Sequence, residues 1–168
     1  MSISRRSINI FPALVLFSFS SAVLSQEIAV SDPVSSKVVK ATVVALSSAE
    51  FTRAPVTEEY LTKHGCRYET SDPKKINELK EIITKNVHLD SKNTAEPTNL
   101  RTGIYIYTAN GSTYRYLFNA KGSSVEIKGK LQLGYKTTQI NTNAALLTGI
   151  LSWVGQDTSS QKFSNTCF

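Results

Sequence analysis

The chain has 168 residues and carries 19 Lys and Arg against 13 Asp and Glu, a formal charge of +6. The basic residues are scattered among acidic ones, and no run of them resembles a nucleic-acid arm, which argues against a nucleic-acid partner. Two cysteines and two histidines leave little material for a metal centre or for thiol chemistry.

Residues 1–25 read as an export signal, because Arg5 and Arg6 precede an apolar run from Ile8 to Leu24 that ends in small residues. Val23 and Ser25 suit a cut before Gln26, with Ala22 marking a second candidate. Pro12 and several serines in the run argue against a retained membrane span. Cleavage would leave 17 basic and 13 acidic residues, a net charge of +4 that favours acidic surfaces such as anionic glycans, lipid headgroups or an acidic protein. The expected location is therefore outside the cytoplasm, periplasmic or secreted. Residues 26–36, with Asp32-Pro33 and paired serines, read as a flexible leader to a single domain over 37–168.

Val38, Val39, Val43, Val44 and Leu46 predict a strand over 37–46. The 47–60 stretch is read as loop, since Pro55 interrupts it, although Thr57-Glu58-Glu59 is compatible with a short helical turn. A short strand carrying Cys66 is expected over 64–70. Ser71 or Asp72 then caps a helix with Pro73 at its first position, and Ile76, Leu79, Ile82 and Ile83 recur at helical spacing. Residues 87–100 read as a long polar connection, which is uncommon in a compact domain unless the segment has a job.

Residues 102–118 predict a β-hairpin. Asn110-Gly111 suits a two-residue type I′ turn between alternating aromatic and β-branched residues. That turn pairs Tyr107 with Tyr114, Tyr105 with Tyr116 and Gly103 with Phe118. Period-two alternation then places Tyr105, Tyr107, Tyr114, Tyr116 and Phe118 on one face, and Ile104, Ile106, Arg115 and Leu117 on the other. After a turn over 119–124, Val125, Ile127, Leu131 and Leu133 alternate with Glu126, Lys128, Lys130 and Gln132 as a further strand, with Gly129 on its apolar side. Residues 134–142 predict another strand. Leu146, Leu147, Ile150, Leu151 and Val154 then form a helical stripe, capped by Asn141 or Asn143 and ended by Gly155. A serine-rich tail leads to Cys167.

An exported chain with two cysteines is expected to join them, so Cys66–Cys167 is read as a disulfide enclosing roughly 100 residues. A reactive Cys66 beside His64 is the alternative; a redox pair lacks Cys-x-x-Cys spacing. His64 and His88 lie in no H-E-x-x-H motif, no serine lies in G-x-S-x-G, and no phosphate loop occurs. No catalytic residue, metal or cofactor is therefore assigned. Asn110-Gly111-Ser112 matches an N-glycosylation acceptor, but the turn demands the same residues.

The fold expected is α+β: an antiparallel sheet of about four to five strands with two amphipathic helices, 73–86 and 142–154, on one face. The tyrosines would then occupy the opposite, partly open face with Lys128 and Lys130. The expected function is a small exported, non-enzymatic protein that engages a protein partner through Tyr105, Tyr107, Tyr114, Tyr116, Lys128 and Lys130, an inhibitor or immunity factor being the case in view. The alternative is a glycan or cell-envelope ligand module that uses the same tyrosines with Lys128, Lys130 and Arg115. The structural explanation to set beside both is cross-strand aromatic pairing for stability alone, or cover of this face by the N-terminal strand, the 47–60 segment or the tail. An enzyme without a recognisable motif is the remaining class.

Overall fold

The computed structural model describes residues 37–47, 50–90, 99–119, 125–156 and Cys167. The expected signal, the leader, the centre of the 87–100 connection, most of the 119–124 turn and the tail before Cys167 lie outside the described residues.

The strands are β1 (Val38–Ala45), β2 (Cys66–Thr70), β3 (His88–Leu89), β4 (Leu100–Thr108), β5 (Thr113–Asn119), β6 (Glu126–Leu133) and β7 (Lys136–Asn143). They form one seven-stranded sheet in the order β2-β1-β4-β5-β6-β7-β3, and every pairing is antiparallel. The helices are α1 (Glu58–His64), α2 (Pro73–Asn86) and α3 (Ala144–Gly155). The class is α+β as expected, but the sheet has seven strands rather than four or five, and three helices are present among the described residues rather than two. The additions are short. β3 is a two-residue pairing of His88 with Asn141 and Leu89 with Ile140, too brief to show alternation in sequence. α1 has seven residues, and Thr57 caps it by accepting from the Tyr60 N–H, two residues after the proline that marked the stretch as loop.

α2 begins as its sequence predicts. Asp72 accepts from the Lys74 N–H at 2.9 Å, Pro73 takes the first helical position, and Ile76, Leu79 and Ile83 are buried. α3 is capped by Asn143, whose side chain accepts from the Ala145 N–H at 2.9 Å, and it buries Leu146, Ile150, Trp153 and Val154. The Trp153 indole donates to the Lys75 carbonyl at 2.9 Å, which ties α3 to α2 and satisfies the ring's one polar group.

The hairpin forms, but not with the expected pairing. Thr108 donates to the Ser112 carbonyl at 3.0 Å and Gly111 donates to the Thr108 carbonyl at 3.0 Å, so the loop is Ala109-Asn110-Gly111. Gly111 takes φ +83°, the left-handed position that closes a three-residue hairpin loop. Asn110 Oδ1 accepts from the Ser112 N–H at 3.1 Å and lies 2.6 Å from the Thr108 hydroxyl, which stabilises this turn over the two-residue one. Tyr107 therefore faces Thr113, Tyr105 faces Arg115, and Ile104 faces Tyr116. A one-residue slip sends every side chain of a strand to the other face. The expected common tyrosine face does not exist.

The consequence is a sheet with two buried faces. On one side Ala41, Val43, Ile104, Ile106, Tyr114, Tyr116, Phe118, Ile127 and Ile140 pack with the buried residues of α2 and α3. On the other, Val44, Leu46, Val56, Leu61, Leu100, Tyr105 and Leu117 form a smaller cluster beneath α1. The two expected helices thus share one face, and α1 adds cover over part of the other. Gly129 sits on the α2/α3 side as predicted, opposite Phe118; a Cβ there would lie 2.5 Å from the Phe118 ring, so the absent side chain makes room for the ring. Cys66 and Cys167 are joined, with their Cα atoms 6.0 Å apart.

Candidate functional site

The residues expected to bind fall into three environments. Tyr114 and Tyr116 are core residues, 6% and 2% exposed, beneath the two long helices. Tyr105 is buried in the smaller cluster under α1, and Tyr107 is half-buried with the Lys40 ammonium 4.9 Å above its ring. Lys128 and Lys130 are half-buried, as Tyr107 is, and keep part of the accessibility expected of them. They share the α1 side of the sheet with Arg115, since Arg115 pairs with Gln132 two residues along β6 from Lys130. Lys128 is bound to Asp90 at 3.2 Å and to Glu126 at 3.6 Å, whereas Lys130 makes no ion pair among the described residues.

This side of the sheet divides in two. Over β1, β4 and β5 it is closed by α1, which presents Leu61 inward and Glu58 to the Arg115 guanidinium at 3.4 Å. Over β6 and β7 it is a polar surface of Lys128, Lys130, Gln132, Gln139 and Asn141. At the boundary the Tyr105 hydroxyl is buried without a hydrogen-bond partner among the described residues. Burial and, after it, the nearby Glu58 charge push its pKa well above the usual tyrosine value; the carboxylate opposes ionisation without being placed for a well-formed hydrogen bond.

An orphan hydroxyl costs stability, so Tyr105→Phe is expected to be neutral or to stabilise the protein by up to about 1 kcal/mol. The effect should grow in alkali. The unfolded chain releases this proton near pH 10 and the folded one higher, so wild-type stability falls as pH rises past about 10, and the phenylalanine variant lacks that loss. Urea unfolding at pH 7 and pH 10.5 measures both; a loss above about 1 kcal/mol at pH 7 would mean that the hydroxyl has a partner.

Exposed apolar side chains include Val125, Tyr135 in the β6–β7 turn, and Phe51 in the segment from Glu50 to Val56, which links β1 to α1. Its two ends are fixed. At the first, Arg101 donates to the Glu50 carbonyl at 2.8 Å, and the Tyr60 hydroxyl donates to the Glu50 carboxylate at 2.9 Å, a bond that raises the pKa of the phenol. At the second, the Val56 N–H donates to Asn99 Oδ1 at 3.3 Å, the Leu100 N–H donates to the Val56 carbonyl at 3.0 Å, and the Val56 side chain is 2% exposed. Between these anchors Phe51 is 96% exposed, and Arg53, Ala54 and Pro55 face solvent. Phe51, Pro55, Val56 and Tyr60 border a hollow of about 360 Å³.

Sequence reading missed this segment, because Phe51 in a polar stretch gives no indication of whether it faces core or solvent. Its only signal was Pro55, which was read as an interruption. A larger open groove, about 720 Å³, runs between α2 and α3, but charged and polar residues such as Glu78, Glu81, Lys85 and Ser152 line it.

The described residues contain no cluster of three or more His, Cys, Asp and Glu able to hold a metal ion, and no helix among them is long and apolar enough to cross a membrane. Comparison of the chain with protein-family models, with curated proteins and with solved structures finds no match. Fold and site together define an α+β domain with one sheet covered by helices on one face and partly on the other, a disulfide clasp, and a clamped loop that projects an aromatic side chain.

Proposed function

We propose that this chain is an exported, non-enzymatic protein that binds a protein partner, with the 50–56 loop as its main contact. The observation that carries the reading is the combination of fixed ends and a bare aromatic: Phe51 stands almost fully in solvent on a segment whose neighbours are bonded to Arg101, Tyr60, Asn99 and Leu100. Holding an apolar ring in water has no benefit to the isolated fold. On binding, a loop already held in one conformation loses little entropy, and an exposed aromatic is the usual kind of anchor at a protein interface. The signal-like segment at 1–25 and the disulfide support export.

Phe51→Ala is expected to leave thermal stability unchanged, because the ring contributes nothing to the core. It is expected to weaken capture of the partner from an envelope or extracellular extract by about 30-fold, as loss of an anchor residue does. Equal capture by the variant and the wild type would remove the loop from the interface.

A second reading, an acidic glycan held on the β6–β7 surface, is favoured by the unpaired Lys130 and by the buried Gln132 carbonyl oxygen, which accepts no hydrogen bond among the described residues. In that case wild type and Phe51→Ala would retain an acidic oligosaccharide equally.

A further inference from the structure

We infer that the 50–56 loop is a substrate-like segment for a serine endopeptidase that cleaves after arginine, and that the chain inhibits such an enzyme by presenting Arg53 to its specificity pocket. This rests on the reading of the loop as a protein-binding contact and names the partner.

Three observations lead to it. The first is the state of Arg53. Among the described arginines, Arg67 is bound to Glu69 at 2.8 Å, Arg101 to the Glu50 carbonyl at 2.8 Å and Arg115 to Glu58 at 3.4 Å. Arg53 is exposed and has no hydrogen bond or ion pair among the described residues. An unpaired guanidinium on a projecting loop loses no intramolecular partner when it enters an acidic pocket, so the full charge-assisted interaction counts toward binding.

The second is the residue order Phe51-Thr52-Arg53-Ala54-Pro55. The bond after Arg53 leads to alanine, a small residue with an ordinary amide nitrogen that a cleft accommodates. The proline stands one position later, where it stiffens the chain without occupying the leaving-group nitrogen. Phe51, two residues before Arg53, adds an apolar contact on the same side of the scissile bond.

The third is the pair of clamps. A flexible loop with this order would be cut and released. In the reaction, the enzyme's serine oxygen attacks the Arg53 carbonyl carbon, the bond to the Ala54 nitrogen breaks, and that nitrogen takes a proton from the enzyme's general acid as the acyl ester forms. Ala54 is two residues from Val56, which Asn99, Leu100 and burial hold in place, while Glu50 is held on the other side by Arg101 and Tyr60. The new amine therefore stays beside the ester. Its attack on the ester carbon restores the peptide bond and returns the proton to the serine oxygen, and it competes with water at the high effective concentration of an intramolecular group. The loop binds as a substrate and is not consumed.

The test is to incubate the oxidised protein with arginine-specific serine endopeptidases, with aromatic-specific ones as controls, and to follow hydrolysis of a chromogenic peptide. Inhibition confined to the arginine-specific enzymes, persistent over hours and weakened about 100-fold by Arg53→Ala, is the expected result. Mass spectrometry should show the 53–54 bond largely intact. The inference is overturned if no enzyme of the class is inhibited, if the loop is cut while enzyme activity continues, or if Arg53→Ala inhibits as well as wild type. If partner capture depends on Phe51 while no endopeptidase is inhibited, the protein-binding reading stands and this identification of the partner falls. Arg53 is solvent-exposed, so its variants should fold as the wild type does.

Discussion

Replacing Cys66 and Cys167 together by serine should lower the free energy of unfolding by about 4 to 5 kcal/mol, the cost of freeing a loop of this length in the unfolded chain. The two cysteines are 101 residues apart, so the bond encloses most of the folded domain and removes many of the conformations available to the denatured chain. It also holds Cys167, 1% exposed, within the core cluster that contains Tyr68, Trp153 and Val154. Cys66 is the first residue of β2, an edge strand whose other contacts run mainly to β1, so the bond fastens the sheet's outer strand as well. For a domain of this size the change corresponds to a fall in Tm of roughly 10 to 20 °C. Thermal unfolding followed by circular dichroism, with the double serine variant beside wild type in the presence and absence of reductant, measures it. A fall below about 1 kcal/mol would show that the fold does not depend on the clasp.

The bond was legible because it required only counting: two cysteines in a chain whose first residues read as an export signal have one pairing available. The two long helices were legible for a different reason. Asp72-Pro73 and Asn143 supply the local chemistry that starts a helix, and their apolar residues recur over enough turns to fix the buried face. The hairpin was legible in part. Asn110-Gly111 identifies a turn with a glycine at positive φ, but a two-residue loop and a three-residue loop ending at Gly111 both meet that requirement. What separates them is partly local, in the contacts of Asn110 with Thr108 and Ser112, and partly distant in sequence. The adopted register lets Tyr114, Tyr116 and Phe118 fill the space beneath α2 and α3, and lets Leu117 meet Leu61 from the other side. The aliphatic alternation of β6 suggested an aliphatic hairpin face opposite the tyrosines, whereas the two tyrosines of β5 pack beside those aliphatic residues. α1 was legible only as a possible turn at Thr57-Glu58-Glu59, because seven residues give less than two full periods, so cover of the second face by the 47–60 stretch stood as one alternative among several. The loop site depended on that helix, since Tyr60 of α1 supplies one of its clamps.

Tyr116→Ala and Tyr107→Ala test the register directly, because the two-residue loop would place both rings in one surface and the observed one separates them. Tyr116 is 2% exposed, faces Ile104 on one neighbouring strand and Leu131 on the other, and lies in the cluster under the long helices. Removing its ring deletes buried contacts and leaves a cavity in a core that sheet and helices prevent from collapsing, a cost of about 3 to 5 kcal/mol. Tyr107 is half-buried near the end of β4, and what its ring gives up is a contact with the Lys40 ammonium and packing against the edge of the smaller cluster. Its loss should cost about 1 kcal/mol or less. Urea unfolding of the two variants should therefore differ by at least about 2 kcal/mol, with Tyr116→Ala the less stable. Equal costs would return both rings to one face and reopen the tyrosine surface as a binding site. An inverted order would mean that α1, rather than α2 and α3, covers the larger share of the core.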